Sequence, residues 1–542
     1  MKKQIGSAGV FLVAVLALIP ARSLMAQDAS NKEAQMKELR KKAAHRQRRI
    51  IFNNDGDDAV YECKEATPEA LLACRTTPLL GSQVDTIFYC DWCSGFSYFT
   101  HRTKIGQVFD RTDNPVHPDN TTGGLSKNKT AEFIKQGTDP LQIMVDFCRQ
   151  KNIEIFWSFR MNDTHDAWGS WYGDILFPQV KKDHPDWLTG SKTNRPKHGG
   201  WSAMDFGHPE VRDLAVKFIE EVCSNYDVDG IEMDFCRHPM YFKNPAWGTD
   251  AGQTELDQMT DMVRRVRQVT EQAALKRGRP MLVAIRVPDS AEYCKAMGLD
   301  VERWLAEDLV DMLSVSDYFR LNPWAVSVEL GHKYGVPVYP CLSETRITDK
   351  EAAKVRSSVG CYRARAMDAW AAGADGMYMF NAFNPRSPLW RELGDPKTMD
   401  AMDKVYVVGV RGARVINSWM ENGEQRFLKR PVLSPERPLA LKPGEPAGIE
   451  LRVGEEVRKK GDLSPNVTLQ LRVKDVPDAS ALSVKLNGKP LTMAAKSPQW
   501  LECAVEPAQV VKGGNRFEFT LAPGSAGKPA IEDLQLWVRY KK

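Results

Sequence analysis

The sequence predicts an α/β chain, a (β/α)8 TIM barrel followed by a small C-terminal β-sandwich domain. From about residue 48 to about 410, short β-rich runs alternate with amphipathic stretches. From about residue 437, helical periodicity gives way to short alternating strands broken by Gly, Pro and Asn. The large segment also holds eight strand candidates, which is the count of a closed barrel.

In chain order the strand candidates are 86–89, 153–160, 202–206, 230–234, 282–286, 312–316, 336–339 and 376–380. Helical stretches at 141–150, 209–226, 255–276, 301–309, 325–334 and 360–372 separate nearly all of them. A doubly wound open sheet gives similar alternation, but no GxGxxG follows any strand. In the C-terminal part, 448–453, 467–473, 482–486, 516–521 and 534–540 alternate as strands do, and Asn487-Gly488 is a hairpin turn. Its aromatics Trp500, Phe517, Phe519, Trp537 and Tyr540 alternate as core residues, which favours packing over glycan binding there.

The expected organisation is a signal peptide over 1–26, a basic lead-in over 27–47, the barrel over 48–410, a linker over 411–436 and the sandwich over 437–542. Lys2 and Lys3 precede an apolar run at 9–19 that is too short to span a bilayer, and a small-residue cut follows Ala26. The mature chain is therefore expected to be exported, periplasmic or extracellular, with no membrane attachment after cleavage. Loss of Lys2, Lys3 and Arg22 takes the formal charge from +4 to +1 (4 − 3), which argues against a nucleic-acid binder. The basic cluster at 37–49 reads as a solvated lead-in helix. Eleven cysteines leave at least one thiol unpaired, and Cys90 and Cys93 form a CxxC with no second pair at zinc spacing.

The most informative run is Tyr226-Asp-Val-Asp-Gly-Ile-Glu-Met-Asp-Phe-Cys-Arg-His-Pro239. Alternation along a strand sends Ile231, Met233 and Phe235 to one face and Gly230, Glu232 and Asp234 to the other. That delivers an apolar row to the helices and two carboxylates to the C-terminal end of a barrel strand, where such barrels carry their sites. Arg237 and His238 follow at once.

Extended upstream, Asp205-Phe-Gly-His-Pro-Glu-Val-Arg-Asp leads through a helix into Tyr226-Asp-Val-Asp-Gly-Ile-Glu-Met-Asp234. This resembles the glycosyl hydrolase-like family 10 proteins, whose typical run is a D-x-G-x-P-x-V-R-x segment, a helix, then Y-x-V-D-G-I-x-x-D-D. The likeness extends over roughly 48–410 and includes Trp304-Leu-Ala-Glu-Asp-Leu-Val-Asp311 and Ala371-Ala-Gly-Ala-Asp-Gly-Met-Tyr-Met-Phe-Asn381. More broadly the chain resembles the α-galactosidase-like superfamily of barrels, in which an Asp ends the fourth strand. The family's Asp-Asp pair is Asp234-Phe235 here, so the resemblance carries over to Asp234 and less directly to Glu232. A chitinase-like signature needs a Glu two residues after Asp234, where this chain has Cys236.

The resemblance implies glycoside hydrolysis, which uses two carboxyl groups about 5–5.5 Å apart for retention or about 6.5–9.5 Å apart for inversion. Glu232 and Asp234 share one strand face, so a partner is expected from another strand. Asp234 is the expected nucleophile or base, and Asp317, Glu344 and Asp289, after the sixth, seventh and fifth strands, are the acid candidates. The superfamily analogy favours Asp317. Expected substrate contacts are Trp157, Arg160, Asp163, His165, Arg237, His238, Arg286 and Asn381. The arginines either hold Glu232 or Asp234 by charge pairing or grip sugar carboxylates or sulfates. Asn162, Asp163, His165 and Asp166 either orient sugar hydroxyls or hold a calcium ion. The loop that ends near Trp201, with Trp168, Trp171, Tyr172 and Trp187, suits either a glycan cleft or an internal aromatic core.

No cofactor or metal is expected, because the first strand carries no HxH and histidines are few. No GxSxG elbow or phosphate loop is present either. The expected partner is an oligo- or polysaccharide. The alternatives are a glycan-binding barrel without catalysis and a polysaccharide lyase that uses Arg160 or Arg237 with a His or Tyr base.

Overall fold

Immediately after the basic cluster, Ile50-Ile-Phe-Asn-Asn54 forms the first strand of an eight-stranded parallel sheet. The computed structural model describes residues 1, 18–92, 94–112, 127–167, 171–315, 318–343, 345–411, 414–523 and 527–541. The barrel strands are β1 (Ile50–Asn54), β2 (Val84–Tyr89), β3 (Glu154–Arg160), β4 (Gly230–Asp234), β5 (Leu282–Val287), β6 (Met312–Val315), β7 (Val338–Pro340) and β8 (Met377–Met379). Neighbours pair in chain order, with β8 returning to β1. Cys341 bridges Tyr378 in parallel, and Leu342 N–H donates to the Tyr378 carbonyl at 2.8 Å, which closes the ring between β7 and β8.

Seven of the eight expected runs form barrel strands; 86–89 and 153–160 are the second and third rather than the first and second, and 202–206 is corrected. Residues 202–206 form no barrel strand; Met204 makes one isolated antiparallel bridge to Leu188. Their period-two pattern belongs to a loop in which Asp205 accepts from Gly207 N–H at 3.0 Å, just before the helix Pro209–Asn225. The missing strand is β1. The other expected helices appear as Pro140–Lys151, Gln253–Arg277, Val301–Ala306, Trp324–Lys333 and Val359–Ala371. Pro140–Lys151 shows why. Asp139 caps it by accepting from Gln142 N–H at 2.9 Å, Pro140 opens it, and Asn152 closes it with φ 55°.

Strand alternation sorts the two cores. Ile231, Met233 and Phe235 pack with the helices in the large outer core. Ile51, Phe88, Phe156, Ala284, Met312, Tyr339, Tyr378 and Phe380 fill the barrel interior. The basic lead-in is not simply solvated. Arg40 is buried against Asp308 and Asp311. Arg48 plugs the bottom of the barrel, donating to Glu154 at 2.6 and 2.7 Å and to the carbonyls of Ala43 and Ala44.

Beyond the barrel, two antiparallel sheets face one another over a core that includes Leu451, Leu469, Leu486, Phe517, Phe519 and Leu536. One contains Lys404–Val407, Ala530–Lys541, Ser464–Lys474, Trp500–Val505 and Ala494–Ser497 in spatial order, with Leu439–Ala440 beside Ala530–Lys541. The other runs Pro446–Val453, Gly513–Leu521, Leu482–Leu486, Lys489–Leu491. Asn487 (φ 51°) and Gly488 (φ 80°) make the hairpin turn, a left-handed pair of the kind Asn-Gly tolerates.

Candidate active site

Asp234 ends β4 inside the barrel and is 1% exposed. Arg286, one strand over on β5, faces both of its oxygens: Nε donates to Oδ1 at 3.0 Å and Nη2 to Oδ2. The same Oδ1 accepts the backbone N–H groups of Cys236 (2.9 Å) and Arg237 (3.2 Å), so the turn after β4 is built on the carboxylate. Arg286 lies over the Phe380 ring at 4.1 Å, a cation–π contact that fixes its plane.

Glu232 lies one barrel layer deeper, with no solvent exposure. Ser158 Oγ donates to it at 2.5 Å, Tyr378 OH at 2.9 and 3.0 Å, and Asn53 Nδ2 at 3.5 Å. Burial chiefly, with the Asp234 charge adding to it, pushes the carboxyl up to about 7, although Arg286, Ser158 and Tyr378 oppose the shift. It is enclosed by protein and reaches no opening. It sits beneath Asp234 in the barrel interior.

Around the mouth, Arg160 at the end of β3 pairs with Asp55 (3.0 Å) just after β1 and with Asp163 (3.2 Å). Asp163 also accepts from His165, from its backbone N–H at 3.1 Å and from Nδ1 at 2.9 Å. Burial works against charge on both acids. Arg160, Arg237 and Arg286 nevertheless hold Asp55 below the usual carboxylate range, and the His165 Nδ1–H hydrogen bond and the Arg160 charge hold Asp163 well below it. His165 and His238 are both shifted down, mainly by burial, so the imidazoles are neutral near pH 7. With its Nδ1–H on Asp163, His165 offers Nε2 as an acceptor to Arg237 Nη2 at 3.0 Å. His238, at φ 60°, accepts Thr164 N–H on Nδ1 at 2.8 Å, which leaves the proton on Nε2.

Asp163, His165 and His238 place ligand-type atoms within 4.8 Å of one another, the one such group among the described residues. Those atoms are committed to Arg160, Arg237 and the Thr164 amide, and two guanidinium groups flank them. The donor set suits an organic ligand with polar substituents better than a divalent cation. Asp166 faces away from it, bonded to Lys181 Nζ at 2.6 Å and to Ser202.

Residues 116–319 match the family described as Glycosyl hydrolase-like 10. The matched stretch spans β3 to β6, and so contains Asp234, Glu232, Arg286 and the Asp163–His165–His238 cluster. A "Glycosyl hydrolase YngK" from Bacillus subtilis (strain 168) is 31% identical over 106 residues, which is 19% of this chain and 19% of that relative. Among solved structures, a GH36 alpha-galactosidase AgaA variant from Geobacillus stearothermophilus, in complex with 1-deoxygalactonojirimycin, is 12% identical with TM-score 0.36; the match covers 91% of this chain and 56% of that one. An Anoxybacillus alpha-amylase is 10% identical with TM-score 0.37, covering 89% of this chain and 99% of that one.

Within this barrel the expected residues divide. Asp234, Arg286, Arg160, Asp163, His165, Arg237 and His238 gather at the mouth. Asn381 joins them, at φ 55°, donating from Nδ2 to Tyr318 OH at 2.9 Å. Trp157 does not: it is fully buried on the helix-facing side of β3, stacked on Phe159 at 5.1 Å, and is corrected to a core residue. Asp289 is also taken, accepting Leu321 N–H (2.7 Å), Asn322 N–H (3.2 Å) and Arg320 Nη1 (3.0 Å), so it organises the turn after β6. Asp317, Glu344 and Trp168 lie outside the described residues. Sequence reasoning missed Asn53, Asp55, Ser158, Tyr378, Tyr318 and Arg346. Asn53 and Asp55 had a readable signal, an apolar run that ends in acids, as in β4.

Proposed function

We propose that the protein is an exported glycoside hydrolase that cleaves glycosidic bonds of an oligo- or polysaccharide at the C-terminal mouth of the barrel. The carrying observation is Asp234, at the end of β4 with Arg286 across it and the polar mouth beside it. The oxocarbenium-like transition state is positive, and Asp234 stabilises it by charge or by covalent attack. The partner acid needs a proton near neutral pH. Asp55 and Asp163 are held down and stay charged, and Glu232 is sealed below the floor. The acid role therefore falls to Asp317 or Glu344, from the segments that follow β6 and β7.

The test is reducing-end release from neutral and acidic polysaccharides. Asp234→Asn is expected to lower kcat by about 10³-fold, or about 4 kcal/mol. One of Asp317→Asn and Glu344→Gln is expected to lose activity against poor leaving groups. Full activity in Asp234→Asn would overturn the assignment. A non-catalytic glycan-binding barrel is the second reading, favoured by the engagement of both Asp234 oxygens with Arg286; glycan binding without products from the unaltered protein would select it. Export rests on Lys2, Lys3 and the apolar run at 9–19. A mature N-terminus near residue 27 is expected from sequencing of the secreted protein, and retention of Met1 on it would count against export by cleavage.

A further inference from the structure

Beside the mouth, a cleft of about 340 Å³ is lined by His165, Arg237, His238, Tyr318, Arg346 and Trp419 among others, with no carboxylate among the described residues that line it. Several buried arginines are matched to acids, Arg286 to Asp234, Arg160 to Asp55 and Asp163, Arg48 to Glu154, and Arg356 to Asp533. Arg237 and Arg346 have no ion pair among the described residues. Arg237 gives Nη1 to Tyr318 OH at 2.7 Å and Nη2 to His165 at 3.0 Å, while its buried Nε has no partner among the described residues. Arg346 is exposed and gives Nη2 to the same Tyr318 OH at 3.2 Å.

Asn381 Nδ2 is a third donor on that hydroxyl, at 2.9 Å. A phenolic oxygen has two lone pairs, so three donors compete for two acceptor sites. At least one is free to turn toward a ligand at little cost. His238 adds an Nε2–H with no acceptor among the described residues. Trp419, stacked on His238 with ring centres 5.7 Å apart, gives the cleft an aromatic wall.

We propose that this cleft is a subsite for an anionic substituent of the glycan, a sugar carboxylate or sulfate, held by Arg237 and Arg346 with the His238 Nε2–H. The assignment deepens the glycan-directed reading above and rests on it. Guanidinium forks match carboxylate and sulfate oxygens geometrically, and the oxyanion supplies both the missing charge and the missing acceptors.

The experiment is affinity electrophoresis of the full chain through gels holding polygalacturonate, its methyl ester, dextran sulfate or dextran. The unaltered protein, Arg237→Ala, Arg346→Ala and the remote surface control Lys485→Ala are compared. Retardation by a charged polymer but not by its neutral counterpart is expected, weakened about five-fold or more in both arginine variants and unchanged in the control. Retardation by polygalacturonate alone assigns a carboxylate, by dextran sulfate alone a sulfate, and by both a general oxyanion subsite. Equal retardation by charged and neutral polymers, no retardation by either charged polymer, or unchanged binding in Arg346→Ala overturns the proposal. Arg346 is exposed, so its variant is insulated from folding defects. Binding is read without turnover: anion-dependent retardation with no hydrolysis sinks the hydrolase reading alone, and hydrolysis with no anion preference sinks the subsite alone.

Discussion

Glu232 and Asp234 are two residues apart on one strand face, yet the barrel assigns them different chemistry. Asp234 meets Arg286 and two backbone amides; Glu232 meets neutral hydroxyls in a sealed layer. Burial raises Glu232 from an ordinary 4.5 to about 7, so the folded protein holds a proton that the unfolded chain releases above about pH 4.5. Its contribution to stability is complete below that pH and is lost as pH rises through about 7. Urea midpoints measured at about pH 5 and about pH 8 are expected to fall more for the unaltered protein than for Glu232→Gln, which does not titrate. Equal falls in the two proteins would remove Glu232 as the source. Side-chain parity, which placed Glu232 and Asp234 inside, also sends Trp157 outward with Ile155 and Phe159. Its misplacement as a substrate contact came from weighing residue type above alternation.

At the scale of elements, β4 depends on Gly230. A Cβ there would lie 2.3 Å from Phe156 Cε1 and 2.6 Å from the Leu282 carbonyl oxygen, so the strand approaches both neighbours as closely as backbone allows. Gly230→Ala is expected to cost about 1–3 kcal/mol by overpacking, read from urea unfolding, with a shift of β4 that reduces activity. Unchanged stability would mean that Phe156 has room to move. Strand β1 is hard to read because only Ile50-Ile-Phe52 is apolar and it abuts a basic cluster, while 202–206 satisfies alternation without a pairing partner in the barrel sheet. Local pattern reports half-burial, but hydrogen-bond partners come from distant sequence. The two errors offset each other, so the count of eight survived while the first three strands shifted.

For the whole molecule, the tie between the barrel and the C-terminal sheets is ionic as well as apolar. Arg356, ending the helix Lys350–Arg356, donates from Nη1 and Nη2 to Asp533 at 2.9 and 2.7 Å, and both residues are buried. Strand Lys404–Val407, which follows the barrel in sequence, pairs with Ala530–Lys541 near the end of the chain. Asp533→Ala strands a buried guanidinium and is expected to cost about 3–5 kcal/mol. Thermal unfolding should then separate the two regions. A single transition at the original temperature would show that the apolar contacts alone couple them.

The sequence by itself determined the barrel-plus-sandwich architecture, because alternation and helical period are local properties of 226–239 and its counterparts. It also singled out Asp234, Arg286, Arg160, Arg237, His165 and His238 as strand-end chemistry. Tertiary structure decided which of these meet. Arg286 answers Asp234 because β4 and β5 are neighbours in register, and Arg160 answers Asp55 from a strand that the pattern concealed. It also gathered Arg237 and Arg346 around one phenol, with no acid paired to either among the described residues. Charge balance at a site is a sum over distant strand ends, and only closing the barrel brings those ends together.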